Sequence, residues 1–234
     1  MKQLVIILLA LLPLGAQAEC VILLHGLARS DQSMGKLEQA LIEENFTTIN
    51  VKYPSTEHDV ETLSEIAITP ALSQCAPEEK VNFITHSMGG ILVRQYLSSH
   101  QINRLNHVVM LGPPNQGSEV VDTLGDFPGF YFINGDAGMQ LGTGDLSVPN
   151  TLGSANFDVG IIAGTRSINW ILSSFIPSTD DGKVSVERTK LDGMNDHIEM
   201  PVTHPFMMKN HQVIAQVIYY LKHGSFKRGP NDKG

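Results

Sequence analysis

The sequence predicts an α/β fold in which short buried strands alternate with helices around a mostly parallel sheet. Strands are expected where apolar runs are short, at 21–24, 48–51, 81–85, 107–111 and 159–163. Helices are expected between them, where apolar residues recur every three or four positions, most clearly over 213–221. Strands that alternate with helices favour right-handed βαβ units, with helices on both faces of the sheet.

The composition is consistent with one globular domain. The 234 residues are 42% hydrophobic, which is enough for a sizeable core. The formal net charge is -8, and the only basic run is the short pair Lys227-Arg228. This charge argues against nucleic acid or an anionic membrane as the main partner. Motifs typical of metal sites and phosphate-binding loops are missing.

The first 18 residues are expected to be a secretory signal peptide. Lys2 precedes an apolar stretch at 4–14, and Ala16-Gln17-Ala18 is a small-x-small cleavage site. The apolar stretch is shorter than the roughly 20 residues that span a bilayer. A lipoprotein acylated at Cys20 is the weaker alternative, because Glu19 directly precedes the cysteine. We therefore expect export to the periplasm or the medium, with Glu19 as the mature N-terminus.

Export makes a disulfide between Cys20 and Cys75 plausible, because an oxidising compartment lets a cysteine pair close. Cys20 opens the first apolar run, and Cys75 lies shortly before the run at 81–85. If these runs are neighbouring parallel strands, both cysteines lie at the same edge of the sheet, opposite any active site. The alternative is two separate thiols.

Ser87 is the candidate nucleophile of a hydrolase. It follows the apolar run at 81–85 directly, with Gly89 and Gly90 next to it and a helical pattern beyond. A sharp strand-to-helix turn of this kind exposes a serine hydroxyl, and the helix N-terminus favours a developing oxyanion. The usual pattern is Gly-x-Ser-x-Gly, whereas Thr85 occupies the first position here.

A serine nucleophile needs a base and a carboxylate that orients the base, and both occur downstream. The turn Asp180-Asp181-Gly182 supplies the acid, with either aspartate possible. His204 is the preferred base, because it lies between an extended run at 197–202 and the last helix. His197 and His211 are the competing candidates. The order serine, aspartate, histidine is that of one class of serine hydrolases.

The oxyanion hole is expected to use two backbone amides, those of Leu27 and Met88. Met88 follows the nucleophile, and Leu27 follows the His-Gly turn that ends the first strand. His25 is then expected to shape this loop and not to act as the base.

Residues 117–156, called the insertion below, interrupt the alternation of strands and helices. This stretch is rich in Gly, Asp, Pro and Asn, and it is expected to be irregular. A long irregular segment in a compact domain predicts a cap or lid, while a surface loop with its own small apolar cluster is an equal alternative. The polar tail at 225–234 is expected to be disordered.

These motifs together resemble the α/β-hydrolase superfamily, specifically its bacterial lipase and esterase branch. The resemblance rests on His-Gly-Leu at 25–27, His-Ser-Met-Gly-Gly at 86–90, the Asp181-Gly182 pair and Gly-Pro-Pro-Asn-Gln-Gly-Ser at 112–118. It covers 20–224, favours Asp181 over Asp180, and agrees with the spacing between Asp181 and His204.

The resemblance implies a Ser-Asp-His triad, hydrolysis of a small-molecule or lipid ester, and no organic cofactor. It is also compatible with transient contact between the insertion and a lipid interface. An acyltransferase that uses the same acyl-enzyme, and a silent binding protein with this fold, are the alternatives.

Overall fold

The computed structural model describes residues 19–229, in which six strands form one sheet. The strands are β1 (Glu19–Leu24), β2 (Thr47–Val51), β3 (Lys80–His86), β4 (Leu105–Leu111), β5 (Val159–Gly164) and β6 (Asp196–Met200). All neighbouring strands are parallel, in the order β2-β1-β3-β4-β5-β6. The predicted parallel α/β architecture is therefore confirmed, and the extended run at 197–202 supplies β6. The expected signal peptide lies outside the described residues.

The helices fall between the strands, as parallel connections require. They are α1 (Gly35–Glu43), α2 (Val60–Leu72), α3 (Met88–Ser99), α4 (Glu119–Leu124), α5 (Pro128–Met139), α6 (Val148–Thr151), α7 (Trp170–Ser173), α8 (Val186–Thr189) and α9 (His211–His223). Two short 3-10 helices lie at Asp31–Ser33 and His204–Lys209. None of the helices in residues 19–229 has both the length and the hydropathy needed to cross a bilayer.

The sheet is buried on both faces because successive strand residues point to opposite sides. In β1, Cys20, Ile22 and Leu24 pack with apolar residues of α2 and α3. Val21 and Leu23 instead pack with residues of α1 and α9 on the other face. A continuous apolar run such as 20–24 is therefore what a central parallel strand requires.

The strand order reverses beside β1, and this reversal sets the position of the site. From β1 the chain passes to β2 on one side and then to β3 on the other. The connections therefore diverge between β1 and β3 and leave a crevice at the carboxyl ends of these two strands. Leu24 of β1 pairs with Thr85 of β3, so the loops at Gly26 and Ser87 begin side by side.

Pro70 does not divide α2, although a proline inside a helix usually kinks or breaks it. The helix runs unbroken over Val60–Leu72, with Pro70 inside it. A proline removes one amide donor from the helix ladder. Pro70 lies in the last turn of α2, so little of the helix depends on the lost hydrogen bond.

The insertion is only partly irregular, because three short helices lie between its stretches without regular structure. It contains α4, α5 and α6. Its conformation depends on contacts that no local pattern shows. Gly135 has φ 62° inside α5, and a Cβ built on it would lie 1.9 Å from the carbonyl oxygen of Thr56. The amide of Val60 also donates to Oε1 of Gln140 at 2.8 Å.

Arg94 of α3 holds the two ends of the insertion. Its guanidinium is buried and donates to the carbonyl oxygens of Asn115, Pro149 and Gly153, each at 2.9 Å. Burial lowers the pKa of Arg94 to about 10, so the side chain stays protonated at neutral pH. One buried cation thereby satisfies three carbonyl groups where the insertion leaves and rejoins the sheet.

Residues 225–229 are ordered against the domain, contrary to the expected disorder. Phe226 is buried, and its ring centroid lies 4.7 Å from that of Tyr220. Its amide donates to Oδ2 of Asp196 at 2.8 Å, and Arg228 forms an ion pair with the same carboxylate. An apolar side chain within the polar tail supplies the contact. Residues 230–234 lie outside the described part of the chain.

The predicted disulfide is present between Cys20 and Cys75, whose Cα atoms are 5.7 Å apart. Cys20 is the second residue of β1 and Cys75 follows α2, so the bridge lies at the amino end of the sheet. It closes a sequence separation of 55 residues.

Replacing both cysteines, Cys20→Ala with Cys75→Ala, is expected to lower the free energy of unfolding by about 2–5 kcal/mol, because a closed loop reduces the entropy of the unfolded chain. Urea unfolding of the double variant and of the oxidised wild type measures the difference. Wild type in reductant is the matched control and should lose a similar amount. Equal midpoints for all three samples would show that the bridge does not stabilise the fold.

Candidate active site

Ser87 lies on a strained turn between β3 and α3. Its backbone has φ 54° and ψ -124°, a region that residues other than glycine rarely occupy. Its amide donates to the carbonyl oxygen of Leu111 in β4 at 2.9 Å, which fixes the turn to the sheet. The side chain is half-buried, in contrast to the fully buried Met88 beside it. The turn thus directs a hydroxyl out of the sheet edge.

Gly89 and Gly90, in the first turn of α3, let this helix approach the sheet closely. A Cβ built on Gly89 would lie 2.7 Å from the carbonyl oxygen of Leu24, closer than real Cβ atoms approach backbone. A Cβ on Gly90 would lie 3.1 Å from Sδ of Met110 and 3.3 Å from Oγ1 of Thr85. Thr85 is fully buried, so the usual glycine at its position is not needed for the turn to form here.

Asp181 and His204 form a buried pair. Nδ1 of His204 lies 2.7 Å from Oδ2 of Asp181, and the amide of His204 donates to the carbonyl oxygen of Asp181 at 2.9 Å. The other carboxylate oxygen accepts from the amides of Lys183 at 3.0 Å and Val184 at 2.9 Å. Because a carboxylate only accepts, Nδ1 carries the proton, and Nε2 of the neutral ring is a free acceptor.

Gly112, which follows β4, makes room for this pair. Its φ is +54°, and a Cβ built there would lie 2.9 Å from Oδ2 of Asp181 and 3.1 Å from Nδ1 of His204. The side chain of any other residue would press directly on the hydrogen bond. The glycine that starts the stretch 112–118 therefore has a steric role in the site.

The alternative acid and bases lie elsewhere. Asp180 accepts from Oγ of Ser173 and from the amide of Gly182, both at 2.7 Å. His197 is in β6, where Nε2 lies 3.0 Å from Oγ1 of Thr189. His211 is exposed at the start of α9. None of the three lines the pocket that contains Ser87.

One pocket brings Ser87 and His204 together at the carboxyl edge of the sheet. The space that it encloses is about 70 Å³, smaller than the roughly 300–1,000 Å³ of typical small-molecule sites, so the pocket is narrow in this structure. Gly26 and Leu27 line one side. There is no hydrogen bond between Ser87 and His204 in this structure, and such bonds are often completed only when substrate binds.

The insertion forms the opposite wall of the pocket. Val120 and Val121 of α4, Phe130 and Asn134 of α5, and Leu141 line it. The cap interpretation is therefore favoured over a detached surface loop. On the outer side of α5, Phe132 is 92% exposed. The insertion thus presents apolar groups both to the pocket and to solvent.

The expected oxyanion donors lie at this pocket. Met88 opens α3, so its amide has no acceptor within the helix. Leu27 lines the pocket. The loop after it is fixed by a hydrogen bond, in which the amide of Ala28 donates to Oγ of Ser55 at 3.1 Å. Ala28 has φ 53°. A Cβ built on Gly26 would lie 3.1 Å from Cβ of Ser87, so the two loops are in close contact.

His86 is a buried residue of the site to which the sequence analysis assigned no role. Nε2 lies 3.0 Å from the carbonyl oxygen of His204 and must donate to it, which leaves Nδ1 buried without a partner. Burial, together with the neighbouring His204, holds the pKa of His86 well below its usual value of 6.5.

His25 is also buried, stacks on Tyr53 at 4.0 Å, and has a pKa lowered by burial. Its position agrees with the loop-shaping role expected of it.

Two cations at the pocket, Arg29 and Lys183, were also missed. Both side chains are exposed, and both line the pocket together with Ser87 and His204. The position of Lys183 directly after the Asp-Gly pair was the one available signal. Partial loss of solvent and the nearby Arg29 guanidinium lower the pKa of Lys183.

Known structures share this architecture over most of the chain. A lipase of Bacillus licheniformis in its mature form superposes with a TM-score of 0.67 at 17% identity, over 88% of this chain and 93% of that one. A phospholipase from Legionella pneumophila gives 0.68 at 18% identity, over 90% of this chain and 60% of the other. A metagenomic carboxyl esterase gives 0.67 at 15% identity, over 81% and 65%.

The chain has the α/β-hydrolase fold. At these identities the likeness establishes the fold alone. No protein-family model matches the chain, and no curated protein matches it in sequence. Within residues 19–229, this α/β-hydrolase domain has no group of three or more His, Cys, Asp or Glu side chains arranged to hold a metal ion.

The buried His86 is expected to make stability fall in acid. Below about pH 6.5 the unfolded chain binds a proton at this residue and the folded chain does not, which costs at most about 1.4 kcal/mol per pH unit. The lowered pKa of His25 acts in the same direction. His86→Gln retains an N–H for the carbonyl oxygen of His204 but does not titrate, so its free energy of unfolding should fall less between pH 7 and pH 5.

Urea unfolding of wild type and His86→Gln at several pH values measures this difference. His211→Gln is the control, because it removes an exposed imidazole from α9. Parallel stability curves for wild type and His86→Gln would contradict the expected burial of a neutral ring.

Proposed function

We propose that the protein is a serine carboxylester hydrolase, an esterase or lipase, that works through Ser87, Asp181 and His204. The observation that carries the proposal is the buried hydrogen bond between Asp181 and His204, at a pocket that also contains the hydroxyl of a strained turn. The lipase, phospholipase and esterase with similar folds support the same reaction class.

The first half of the reaction forms an acyl-enzyme. Nε2 of His204 takes the proton of Ser87 as Oγ attacks the ester carbonyl. Asp181 keeps the proton on Nδ1 and stabilises the imidazolium that forms. The amides of Leu27 and Met88 donate to the oxyanion of the tetrahedral intermediate. The imidazolium then gives its proton to the leaving alcohol, and the carbonyl re-forms as the serine ester.

The second half releases the acid. Water loses a proton to Nε2 of His204 and attacks the acyl carbon, and the second tetrahedral intermediate uses the same two amides. Its collapse returns the proton to Oγ of Ser87 and frees the carboxylic acid. The buried position of Asp181 keeps water from competing for the hydrogen bond that sets the histidine tautomer.

Export is part of the proposal and rests on the leader at 1–18 and on the disulfide, which persists in oxidising compartments. The mature protein is expected to begin at Glu19 and to be found in the periplasm or medium. N-terminal sequencing of protein from cell fractions measures this. An uncleaved chain confined to the cytoplasm would contradict export and leave the reaction unaffected.

Ser87→Ala is expected to lower kcat for p-nitrophenyl esters by at least about 10⁴-fold, because the attacking oxygen is lost. Acyl chains from acetate to palmitate are compared, and the profile separates an esterase from a lipase. Ser99→Ala at the far end of α3 is the matched control and should keep wild-type rates.

Labelling by a fluorophosphonate probe gives a second readout of the same serine. Wild type should be labelled and Ser87→Ala should not. Absence of both labelling and serine-dependent cleavage would refute the proposal and favour a silent binding protein. Ester products that appear when alcohols are added would favour an acyltransferase.

The same assay distinguishes the two aspartates. In Asp181→Asn the amide nitrogen faces Nδ1, which favours the tautomer with a protonated Nε2 that cannot accept the serine proton. We expect a loss in kcat of about 10³- to 10⁴-fold. Asp180→Asn removes the same charge from the same turn and retains an acceptor for Ser173, so its loss should stay within about threefold. Equal losses would assign the effect to charge or to loop disruption.

A further inference from the structure

We propose that Arg29 and Lys183 form a subsite for an anionic group of the ester substrate. This inference rests on the proposed function and names the substrate class: an ester with a carboxylate or phosphate near the scissile carbonyl. Both residues line the pocket that contains Ser87 and His204, although they lie 154 positions apart in the sequence.

Neither cation has an acidic partner. Among the described residues, no ion pair or side-chain hydrogen bond involves the guanidinium of Arg29 or the ammonium of Lys183. Arg188, Lys190 and Lys222 form ion pairs with glutamates at the surface. On a chain with a net charge of -8, Arg29 and Lys183 place two cations without an ion pair at the pocket that contains Ser87.

The two cations are close enough to interact electrostatically, and both line the same pocket. Arg29 lowers the pKa of Lys183, and both of them lower the pKa of the buried His86. Asp181 is the nearby carboxylate, and its oxygens are already used by His204 and by two amides. An anion from outside the protein would relieve the remaining repulsion.

The backbone around each cation is fixed, so the subsite is positioned relative to the nucleophile. The amide of Lys183 donates to Oδ1 of Asp181 at 3.0 Å, and its carbonyl oxygen accepts from Oγ of Ser118 at 2.8 Å. Arg29 follows Ala28, whose amide is held by Ser55. The carboxylate that orients His204 thereby also positions Lys183.

The pocket admits a small anion and disfavours an anionic surface. Arg29 and Lys183 line the same narrow pocket as residues of the insertion, which leaves room there for one small charged group. The acidic remainder of the protein repels an extended anionic lipid layer at longer range. The subsite therefore selects an individual ester molecule and not a negatively charged membrane.

The test compares matched anionic and neutral esters in wild type, Arg29→Gln, Lys183→Gln and the double variant. In the first arm the anion is on the acyl side, with mono-p-nitrophenyl glutarate against p-nitrophenyl pentanoate. In the second it is on the alcohol side, with acetylglycerol phosphate against acetylglycerol. The readout is the ratio of kcat/KM for the anionic ester to that for the neutral ester, which cancels effects common to both substrates.

Each single variant is expected to lower this ratio by about 5- to 10-fold in at least one arm, since a partly desolvated ion pair is stronger than a fully exposed one. The ratio should also fall as salt rises from about 0.02 M to about 0.5 M. Lys80→Gln is the control, because it removes one charge at the amino end of β3, and it should keep the wild-type ratio.

The outcomes separate the two proposals. If Ser87-dependent hydrolysis of the neutral esters is found but the ratio is unchanged by Arg29→Gln and Lys183→Gln in both arms, the subsite is refuted and the hydrolase stands. If no ester is cleaved, calorimetry with the Ser87→Ala protein decides. Tighter binding of an anionic ester, lost when Arg29 and Lys183 are also replaced, supports the subsite. Equal binding of anionic and neutral esters overturns it.

Discussion

The buried carboxylate of Asp181 is the group on which the candidate site depends. One of its oxygens accepts from His204, and the other holds the amides of the turn that carries Lys183. A buried charge is tolerated only when such hydrogen bonds replace water. Gly112 remains free of a side chain so that this arrangement fits. The need to replace water around the Asp181 carboxylate therefore fixes three things. It sets the tautomer of His204, the conformation of the turn after Asp181 and the position of Lys183.

The sheet brings this carboxylate to the nucleophile. All six strands point the same way, so every loop that follows a strand opens at one edge. The order reverses between β1 and β3, where the loops of Gly26 and Ser87 touch. The disulfide lies at the other edge, where it can act on stability without constraining the reacting groups. Stability and chemistry are therefore assigned to opposite ends of the same strands.

Much of the strand framework and the candidate triad could be predicted because their signals are local. Ser87 follows an apolar run and precedes glycines, and His204 follows an extended run and precedes the clearest helix. The helices of the insertion could not be predicted. Helix α5 has no buried apolar stripe, and it depends on Gly135, which fits against Thr56. The proximity of Arg29 and Lys183 was hidden for another reason: it exists only once two distant loops meet. Phe226 is the opposite case, because its signal was local. It is one apolar residue in a polar tail, and the polar composition of the tail hid its role as a buried contact.

The buried Arg94 has a consequence for how this protein can diversify. It holds Asn115 on one side of the insertion and Pro149 and Gly153 on the other, so the chain leaves and returns at fixed points. Between those points, residues of α4 and α5 and Leu141 line one wall of the pocket. Changes of length or sequence there can alter which molecules fit while the reacting groups keep their geometry. For the proposed hydrolase, the wall that would select the substrate and the residues that would react lie on separate parts of the chain, so selection can act on one without rebuilding the other.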